Sequence, residues 1–205
     1  MRRESRHRVV LATRNRHKIE EIRRILAEAG VERIELVSLA DDPDVPDVEE
    51  TGLTFVENAV LKATTVATAT RLPAVADDSG LSVDALGGMP GVLSARWAGR
   101  HGDDAANLAL VLDQLADVPD DRRTARFVCV AALAVPEGTV TVEKGLVSGR
   151  LIREPRGTNG FGYDPIFVPD GDTRTTAELP SAEKDAISHR GRAFRALAPH
   201  LRKLI

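Results

Sequence analysis

The sequence predicts an α/β fold in which a mixed β-sheet is flanked by helices. Short apolar runs typical of strands intermix with segments whose apolar residues recur at helical spacing, without a strict strand–helix–strand alternation. The longest strand-like runs, 123–135 and 140–152, are joined by Pro136-Glu137-Gly138, which predicts a hairpin.

Local patterns place the other elements along the chain. Gly30 suits the left-handed conformation that commonly follows a helix, and Thr54 with Glu57 has capping-box spacing. Residues 1–7 are polar and basic, and we expect a frayed tail. In chain order, we predict a strand at 9–12, a helix ending at Gly30, a strand at 34–37, an exposed acidic loop at 41–50, a helix from Thr54, extended segments at 74–76 and 81–86 around a turn at 77–80, a glycine loop at 87–91, a helix at 103–115, the hairpin, a glycine-rich loop at 157–164, a strand at 166–168 and a helix at 188–204.

Composition limits the class of protein. The chain has 205 residues, of which 42% are apolar and 29% charged. We expect a single domain over residues 1–205 with a sizeable core, built either as one compact body or as two intimately joined lobes. A net charge of −3 argues against a general nucleic-acid-binding protein, which would be strongly basic. No run has the length of a signal peptide or a membrane span. We therefore expect a cytoplasmic protein with neither a nucleic-acid nor a membrane partner.

Candidate phosphate-binding groups lie where the first strand meets the first helix. A helix N-terminus offers backbone N–H groups and a positive dipole end, and Thr13, Asn15 and Lys18 add donors or charge. The glycine spacing of a Walker loop is absent, so an ordinary strand-to-helix turn with solvated basic residues is the alternative.

A second group combines a carboxylate, an amide and an ammonium. Glu50 precedes the helix on which Asn58 and Lys62 share one face. Such groups could address a metal ion and its phosphate ligand. The alternative is a solvated helix with a capping glutamate.

The acidic pair Asp77-Asp78, followed by Ser79-Gly80, comes directly after an apolar run. Mg²⁺ takes one or two carboxylates together with waters and phosphate oxygens. A carboxylate beside the metal can also orient or deprotonate an attacking water. Because Asp, Ser and Gly are common turn residues, an Asp-rich turn is the alternative.

Two later segments could bind a base or a phosphate. Aromatic residues make up only 3% of the chain, yet Phe161 and Tyr163 share one glycine loop, where exposed rings could stack on a base. Alternatively, both rings fill the core beneath the loop. His189 and Arg190 lie in the first turn of the last helix, where cations oppose the helix dipole, so with Lys184 they are candidate donors to a ligand. Solvated charges are the alternative.

The segments 50–59, 76–84, 160–167 and 188–190, taken together and in this order, closely resemble the inosine triphosphate pyrophosphatase family. The resemblance runs from Val9 to about Leu197. It implies an enzyme that removes ITP, dITP and XTP from the nucleotide pool by hydrolysing them to the nucleoside monophosphate and pyrophosphate, with Mg²⁺ as cofactor. It also implies an elongated, two-lobed structure with a long central mixed sheet, and a homodimer.

The resemblance implies a role for each matching position. It implies that Asp78 is the catalytic proton acceptor and that Glu50 and Asp78 bind the metal ion. The substrate-binding positions are Thr13, Asn15 and Lys18 for phosphate, Lys62 and Ser79 for the nucleotide, Phe161, Gly162, Tyr163 and Asp164 for the base, and Lys184, His189 and Arg190 for its remaining polar contacts. The chain departs from the family pattern at Arg14, His17 and Asp185, which puts fine affinity in doubt rather than activity.

These roles suggest a mechanism. We expect magnesium and lysine to depress the pKa of Asp78, so that its carboxylate can activate a water for attack at the α-phosphorus. His189, Arg190 and backbone N–H groups of the Phe161 loop would pair with the 6-oxo group of inosine or xanthine and leave the amino group of adenine unpaired. The alternatives are a related pyrophosphatase for modified pyrimidine or methylated nucleotides, and a nucleotide sensor or RNA-binding module without turnover.

Overall fold

The computed structural model describes residues 7–39, 45 and 47–204. Helices and strands intermix along this part of the chain as predicted, and most bounds lie within two residues of the expected ones. In order, the elements are β1 (His7–Leu11), α1 (Arg16–Glu28), β2 (Ile34–Ser38), α2 (Phe55–Thr70), β3 (Ala74–Val83), α3 (Asp104–Gln114), β4 (Thr124–Ala134), β5 (Val140–Leu151), β6 (Phe167–Pro169), α4 (Ser181–Ile187) and α5 (His189–Arg202). No helix in the described ranges is both long and apolar enough to cross a membrane.

The described strands form one six-stranded mixed sheet with the order β2-β1-β3-β4-β5-β6. Strand β1 runs parallel to both β2 and β3, with Val10 opposite Val37 on one side and Ala74 on the other. Strands β5 and β6 are antiparallel, with Leu151 opposite Phe167. β4 and β5 are neighbours joined by the short turn in which Glu137 has a φ of 54°. The predicted α/β fold with a mixed sheet is therefore confirmed.

By packing, the chain divides into two compact units. Unit 1 comprises residues 1–78, 130–144 and 190–205, and unit 2 comprises residues 79–129 and 145–189. Each unit has its own apolar core: α2 and the adjoining parts of β1, β3 and β4 line the first, and α3 with parts of β3, β4 and β5 lines the second. The single domain over residues 1–205 stays a prediction.

Helix ends follow the predicted local chemistry. The Thr54 hydroxyl accepts the backbone N–H of Glu57, and the Glu57 carboxylate accepts the N–H of Thr54, which completes the capping box at the start of α2. After α1, Gly30 takes a φ of 73°, a conformation that glycine adopts at little cost.

The predicted turn at 77–80 is wrong, because β3 runs without interruption through Ala74–Val83. Asp77 and Asp78 lie in this strand and are 2% and 4% exposed. A buried carboxylate is tolerated only where charges or donors compensate its lost hydration. Lysine, arginine and asparagine side chains supply that compensation here, so tertiary contacts override the local turn preference.

Two predictions fall partly outside the described residues, and one short helix was not predicted. The frayed tail was expected to include His7, but His7 lies in β1 and pairs with Ile34; residues 1–6 lie outside the described part. The acidic loop at 41–50 falls partly outside the described residues as well. Helix α4 was not predicted, because a seven-residue helix directly after Pro180 carries almost no periodic signal.

Candidate active site

In unit 1, two carboxylates converge on one ammonium group. Lys62 Nζ lies 2.8 Å from Glu50 Oε1 and 3.3 Å from Asp78 Oδ1. The strand β3, the loop before α2 and the second turn of α2 each contribute one of these side chains. The structure thus brings together three of the residues that the sequence nominates.

Asn58 joins the strand and the loop that carry these carboxylates. Its side-chain oxygen accepts the N–H of Gly52 at 2.7 Å, and its amide nitrogen donates to Asp78 Oδ2 at 3.2 Å. Asn58 is fully buried, and a Cβ at Gly52 would lie only 2.7 Å from its oxygen. One side chain therefore holds both Asp78 and the segment after Glu50.

Burial and charge act in opposite directions on the acidities of this group. Burial raises the pKa of Asp78, and Lys62, although it lowers that pKa as expected, does not outweigh burial together with the repulsion of Glu50. Burial alone would lower the pKa of Lys62, but the charges of Asp78 and Glu50 prevail and raise it. The protein's own groups thus favour a charged Lys62 and raise the pKa of Asp78. A lowered pKa of Asp78, as expected from the sequence, would require a further cation beside it.

The carboxylate pair suits a hard cation that keeps other oxygen ligands. Mg²⁺ is bound in proteins by one or two carboxylates, with waters and substrate phosphates completing its coordination. Among residues 7–39, 45 and 47–204, no cluster of three or more His, Cys, Asp or Glu side chains could hold a metal. The donor set of Glu50 and Asp78 is therefore compatible with magnesium bound partly by a phosphate ligand.

A second charged network in unit 1 surrounds Asp77. Lys18 Nζ lies 3.1 Å from Asp77 Oδ2, and Arg190 donates to the same oxygen at 3.2 Å. Arg190 also donates to Glu21 of α1, and its side chain is 2% exposed. Asp77 thus holds two cations, and Arg190 ties α1, β3 and α5 together.

Side chains at the start of α1 take local roles. Asn15 caps the helix by accepting the N–H of Lys18, and the Thr13 hydroxyl accepts the N–H of Asn15. Because both oxygens act as acceptors, the Thr13 hydroxyl hydrogen and the Asn15 amide hydrogens are the donors suited to phosphate. Arg14, which lies between these two residues in the sequence, pairs with Asp47 and donates to the carbonyl of Leu39.

In unit 2, Asp164 organises the loop 160–164 from within. Its Oδ2 accepts the backbone N–H of Phe161 at 2.9 Å and pairs with Lys184 Nζ at 2.6 Å, while Oδ1 accepts from Thr176 at 2.8 Å. Gly160 has a φ of 75°, and a Cβ there would lie 2.0 Å from Asp164 Oδ2. The loop conformation therefore requires glycine at position 160.

The next amide in the loop donates to a carboxylate from another element. The N–H of Gly162 donates to Asp104 Oδ2 at 2.8 Å. The backbone donors of Phe161 and Gly162, which we expected to pair with the base, are thus engaged by Asp164 and Asp104.

The two aromatic rings of this loop have different surroundings. Tyr163 is 5% exposed, belongs to the core of unit 2 and donates its hydroxyl to the carbonyl of Ser94 at 2.8 Å. Phe161 is half-buried, and Lys184 Nζ lies 5.4 Å from its ring centroid. Phe161 is therefore the ring with surface available for stacking, and Tyr163 supports the loop from the core.

Known proteins resemble this chain over almost its entire length. A sequence model of the Ham1 family matches residues 9–200. The chain belongs to the Ham1 family. A dITP/XTP pyrophosphatase of Streptomyces coelicolor is 61% identical over 198 residues, which are 97% of this chain and 98% of that protein.

Solved Ham1 structures agree with the fold. A HAM1 protein from Coxiella burnetii superposes with a TM-score of 0.85 at 45% identity, covering 96% of this chain and 99% of that one. A nucleoside-triphosphatase / dITP/XTP pyrophosphatase from Mycobacterium abscessus gives a TM-score of 0.75 at 56% identity, covering 94% and 99%. The resemblance noted from the motifs is therefore confirmed.

The remaining predicted residues of this Ham1 chain, His189 and Ser79, lie in unit 2, at the start of a helix and within a strand. His189, at the start of α5, stacks on Phe127 of β4 with ring centroids 4.8 Å apart and an interplanar angle of 12°. Ser79 is half-buried and follows Asp78 in β3. Their contacts with a nucleotide stay predictions.

Apart from Asn58, which was predicted beside Glu50 and Lys62 as a group that could address a metal ion, some supporting residues were not predicted, although the sequence carries a signal for each. Asn58 shares a helix face with Lys62, and Glu21 is a charged residue on the otherwise apolar face of α1. Asp104 follows another acid that already caps α3, and Phe127 is one of few aromatic residues. These signals indicate a buried or special environment but not the partner, which lies far away in sequence.

Proposed function

We propose that this chain hydrolyses deaminated purine nucleoside triphosphates, such as ITP, dITP and XTP, to the nucleoside monophosphate and pyrophosphate. The observation that carries the proposal is the convergence of Glu50 and Asp78 on Lys62 in unit 1. Relatives named dITP/XTP pyrophosphatase, matched over nearly the whole chain, support the substrate class.

Taken separately, each unit offers groups that suit one part of a nucleotide. Unit 1 offers cations and helix-terminal donors for phosphates, among them Lys18 and Lys62. Unit 2 offers a half-buried ring, Phe161, with Lys184 beside it and the stacked imidazole of His189. A flat apolar surface with nearby donors suits a purine that carries oxo groups.

We propose Mg²⁺ as the cofactor, with Glu50 and Asp78 as its protein ligands. When bound, the ion would offset phosphate charge and lower the pKa of a coordinated water. Asp78 orients the attacking water and accepts its proton, while the water oxygen bonds to the α-phosphorus. The bond between that phosphorus and the oxygen bridging it to the β-phosphorus breaks, and pyrophosphate leaves with this oxygen. Lys62 and Asn58 hold the Asp78 carboxylate in place for this step.

Selection of the base rests on hydrogen-bond polarity. Lys184 and His189 can donate to a 6-oxo group, whereas adenine would present an amino donor to the same groups. A buried donor left unpaired costs about 1–3 kcal/mol, which corresponds to roughly 5- to 150-fold discrimination.

We also propose that the protein works in the cytoplasm as a homodimer with nucleotides as its ligands. The balanced net charge of −3 supports a small-molecule substrate rather than a nucleic-acid polymer. Light scattering coupled to size exclusion should give twice the 22.1 kDa chain mass, and a monomer mass would contradict the dimer.

Steady-state kinetics on ITP, dITP, XTP, dATP and dGTP, with Mg²⁺ or with EDTA, test the function. We expect pyrophosphate release from the first three substrates, dependent on Mg²⁺, and far less from dATP. Because dGTP also carries a 6-oxo group, its rate shows whether a feature other than hydrogen-bond polarity at that position rejects guanine. Asp78→Asn should lower kcat by about 10³-fold, because an amide cannot accept the proton. The variant of an exposed acid, Asp117→Asn, is the matched control and should keep wild-type rates.

Other outcomes would replace the proposal. Faster turnover of a methylated pyrimidine triphosphate than of ITP or XTP would move the substrate class to modified nucleotides. Tight binding of ITP without turnover would indicate a sensor. Full activity of Asp78→Asn would remove Asp78 from its catalytic role.

A further inference from the structure

Asp104 contacts a segment that is remote from it in sequence. Its Oδ2 accepts the N–H of Gly162 at 2.8 Å across 58 positions of the chain. The preceding acid, Asp103, already caps α3 by accepting the N–H of Ala106. The N-cap of α3 therefore does not depend on Asp104. What distinguishes the Asp104 carboxylate is its hydrogen bond to the loop.

Helix α3 gives Asp104 a firm base. Asn107, one turn farther along, is 1% exposed; its side chain accepts the N–H of Ala98 at 2.7 Å and donates to the carbonyl of Ala95 at 3.2 Å. The carbonyl of Ser94, in the same segment, accepts the hydroxyl of Tyr163. Helix α3 and the residue after Gly162 are thus tied to one short segment, 94–98.

The loop needs such an external acceptor because its backbone is permissive. Gly160 and Gly162 both have positive φ, at 75° and 62°, and glycine reaches several such conformations at similar cost. Two consecutive amides are held by two carboxylates: Phe161 N–H by Asp164 and Gly162 N–H by Asp104. These bonds orient the peptide planes on both sides of Phe161.

We propose that Asp104 is a positioning residue for base recognition, because its hold on the Gly162 amide sets the direction of the Phe161 ring. This inference rests on the proposed function, in which that ring stacks on the purine. The negative charge of Asp104 also acts on Tyr163, whose pKa is raised by burial and, in addition, by this charge.

Kinetics of Asp104→Ala, Asp104→Asn and Asp103→Asn test the inference. In Asp104→Ala, we expect the KM for ITP and XTP to rise about tenfold, kcat to change less than about threefold, and the preference for ITP over dATP to fall. Asp104→Asn keeps an oxygen that accepts the same N–H, so it should restore most of the affinity. Asp103→Asn keeps a good helix cap and should behave as the wild type.

Hydrogen exchange in the nucleotide-free protein separates this inference from the proposed function. The Gly162 amide should exchange about tenfold faster in Asp104→Ala than in the wild type, and near the wild-type rate in Asp104→Asn. If the wild type fails to hydrolyse ITP and XTP, the proposed function falls, and exchange still shows whether Asp104 holds the loop. A lower Tm with unchanged KM, selectivity and exchange, or an Asp104→Asn variant as impaired as Asp104→Ala, would overturn the inference.

Discussion

The two units build their candidate binding groups in different ways. In unit 1, charged side chains stand on helices and strands and neutralise one another, as Lys18 does with Asp77 and Lys62 with Asp78. In unit 2, carboxylates hold the backbone of a glycine loop, as Asp104 and Asp164 do. Groups directed at phosphate need fixed charge in a buried setting, whereas groups directed at a planar base need a defined surface. Unit 1 should therefore be sensitive to lost charge, and unit 2 to altered backbone geometry.

The largest effect should follow from breaking the buried pairing in unit 1. Arg190→Met leaves the Glu21 carboxylate, 7% exposed, and the buried Asp77 without this cation. Because removing one partner of a buried ion pair is strongly destabilising, we expect the free energy of unfolding to fall by about 3–5 kcal/mol. Equilibrium urea denaturation in the absence of nucleotide measures this change.

A double variant tests whether the lost compensation of a buried charge causes this destabilisation. Adding Glu21→Gln to Arg190→Met removes the charge of the carboxylate that has lost Arg190, while Asp77 keeps Lys18, so the double variant should regain part of the lost stability. A loss below about 1 kcal/mol in the single variant would mean that unit 1 does not depend on this pairing.

An alanine substitution at Gly160 should disturb the loop of unit 2 more than the same substitution at Gly162. Both residues have positive φ, so alanine is strained at either position by roughly 1–2 kcal/mol. Only at Gly160 would the added Cβ meet a side chain, Asp164 Oδ2 at 2.0 Å; at Gly162 nothing lies within 4 Å. Gly160→Ala should therefore displace Asp164 and raise the KM for ITP by about tenfold or more.

Gly162→Ala is the matched control, because it carries the strain without the collision. We expect its KM to rise clearly less than that of Gly160→Ala. Equal effects on KM and Tm would show that strain alone, rather than the position of Asp164, governs the loop.

The smallest effect concerns an exposed carboxylate of unit 2. The hydroxyl of Thr124 donates to Asp84, and with the neighbouring Arg126 it lowers the pKa of Asp84, opposite to the direction found for buried Asp78. A lowered folded-state pKa adds stability above the unfolded value of about 4, and this contribution is lost as pH falls through the folded pKa.

Urea midpoints of the wild type and Asp84→Asn between about pH 7 and pH 2.5 measure this contribution. The wild type should be slightly more stable near neutrality, and the difference should shrink below about pH 4. A stability difference between the two proteins that grows as pH falls would contradict a lowered pKa of Asp84 in the folded state.

Local contacts were predictable from the sequence, and distant ones were not. The capping box of Thr54 and Glu57 spans three positions, and Asn58 and Lys62 share a face simply because of the helical period. By contrast, the pairing of Asp77 with Arg190 spans 113 positions, and it is this kind of contact that turns a predicted loop into the middle of β3. Of the two aromatic residues in one loop, one lies in the core and one is half-buried, a distinction that no local pattern carries.

The α/β class, the order of most elements, the helix caps and the membership of the Ham1 family followed from the sequence alone, because periodicity, capping and motif order are properties of neighbouring residues. The tertiary structure alone decided that the acidic pair lies in a buried strand, that Asn58 joins Asp78 to the Glu50 segment, and that the amides of the Phe161 loop are held by carboxylates. Each of these depends on the free energy of burying charge or backbone donors, which only partners distant in sequence can offset.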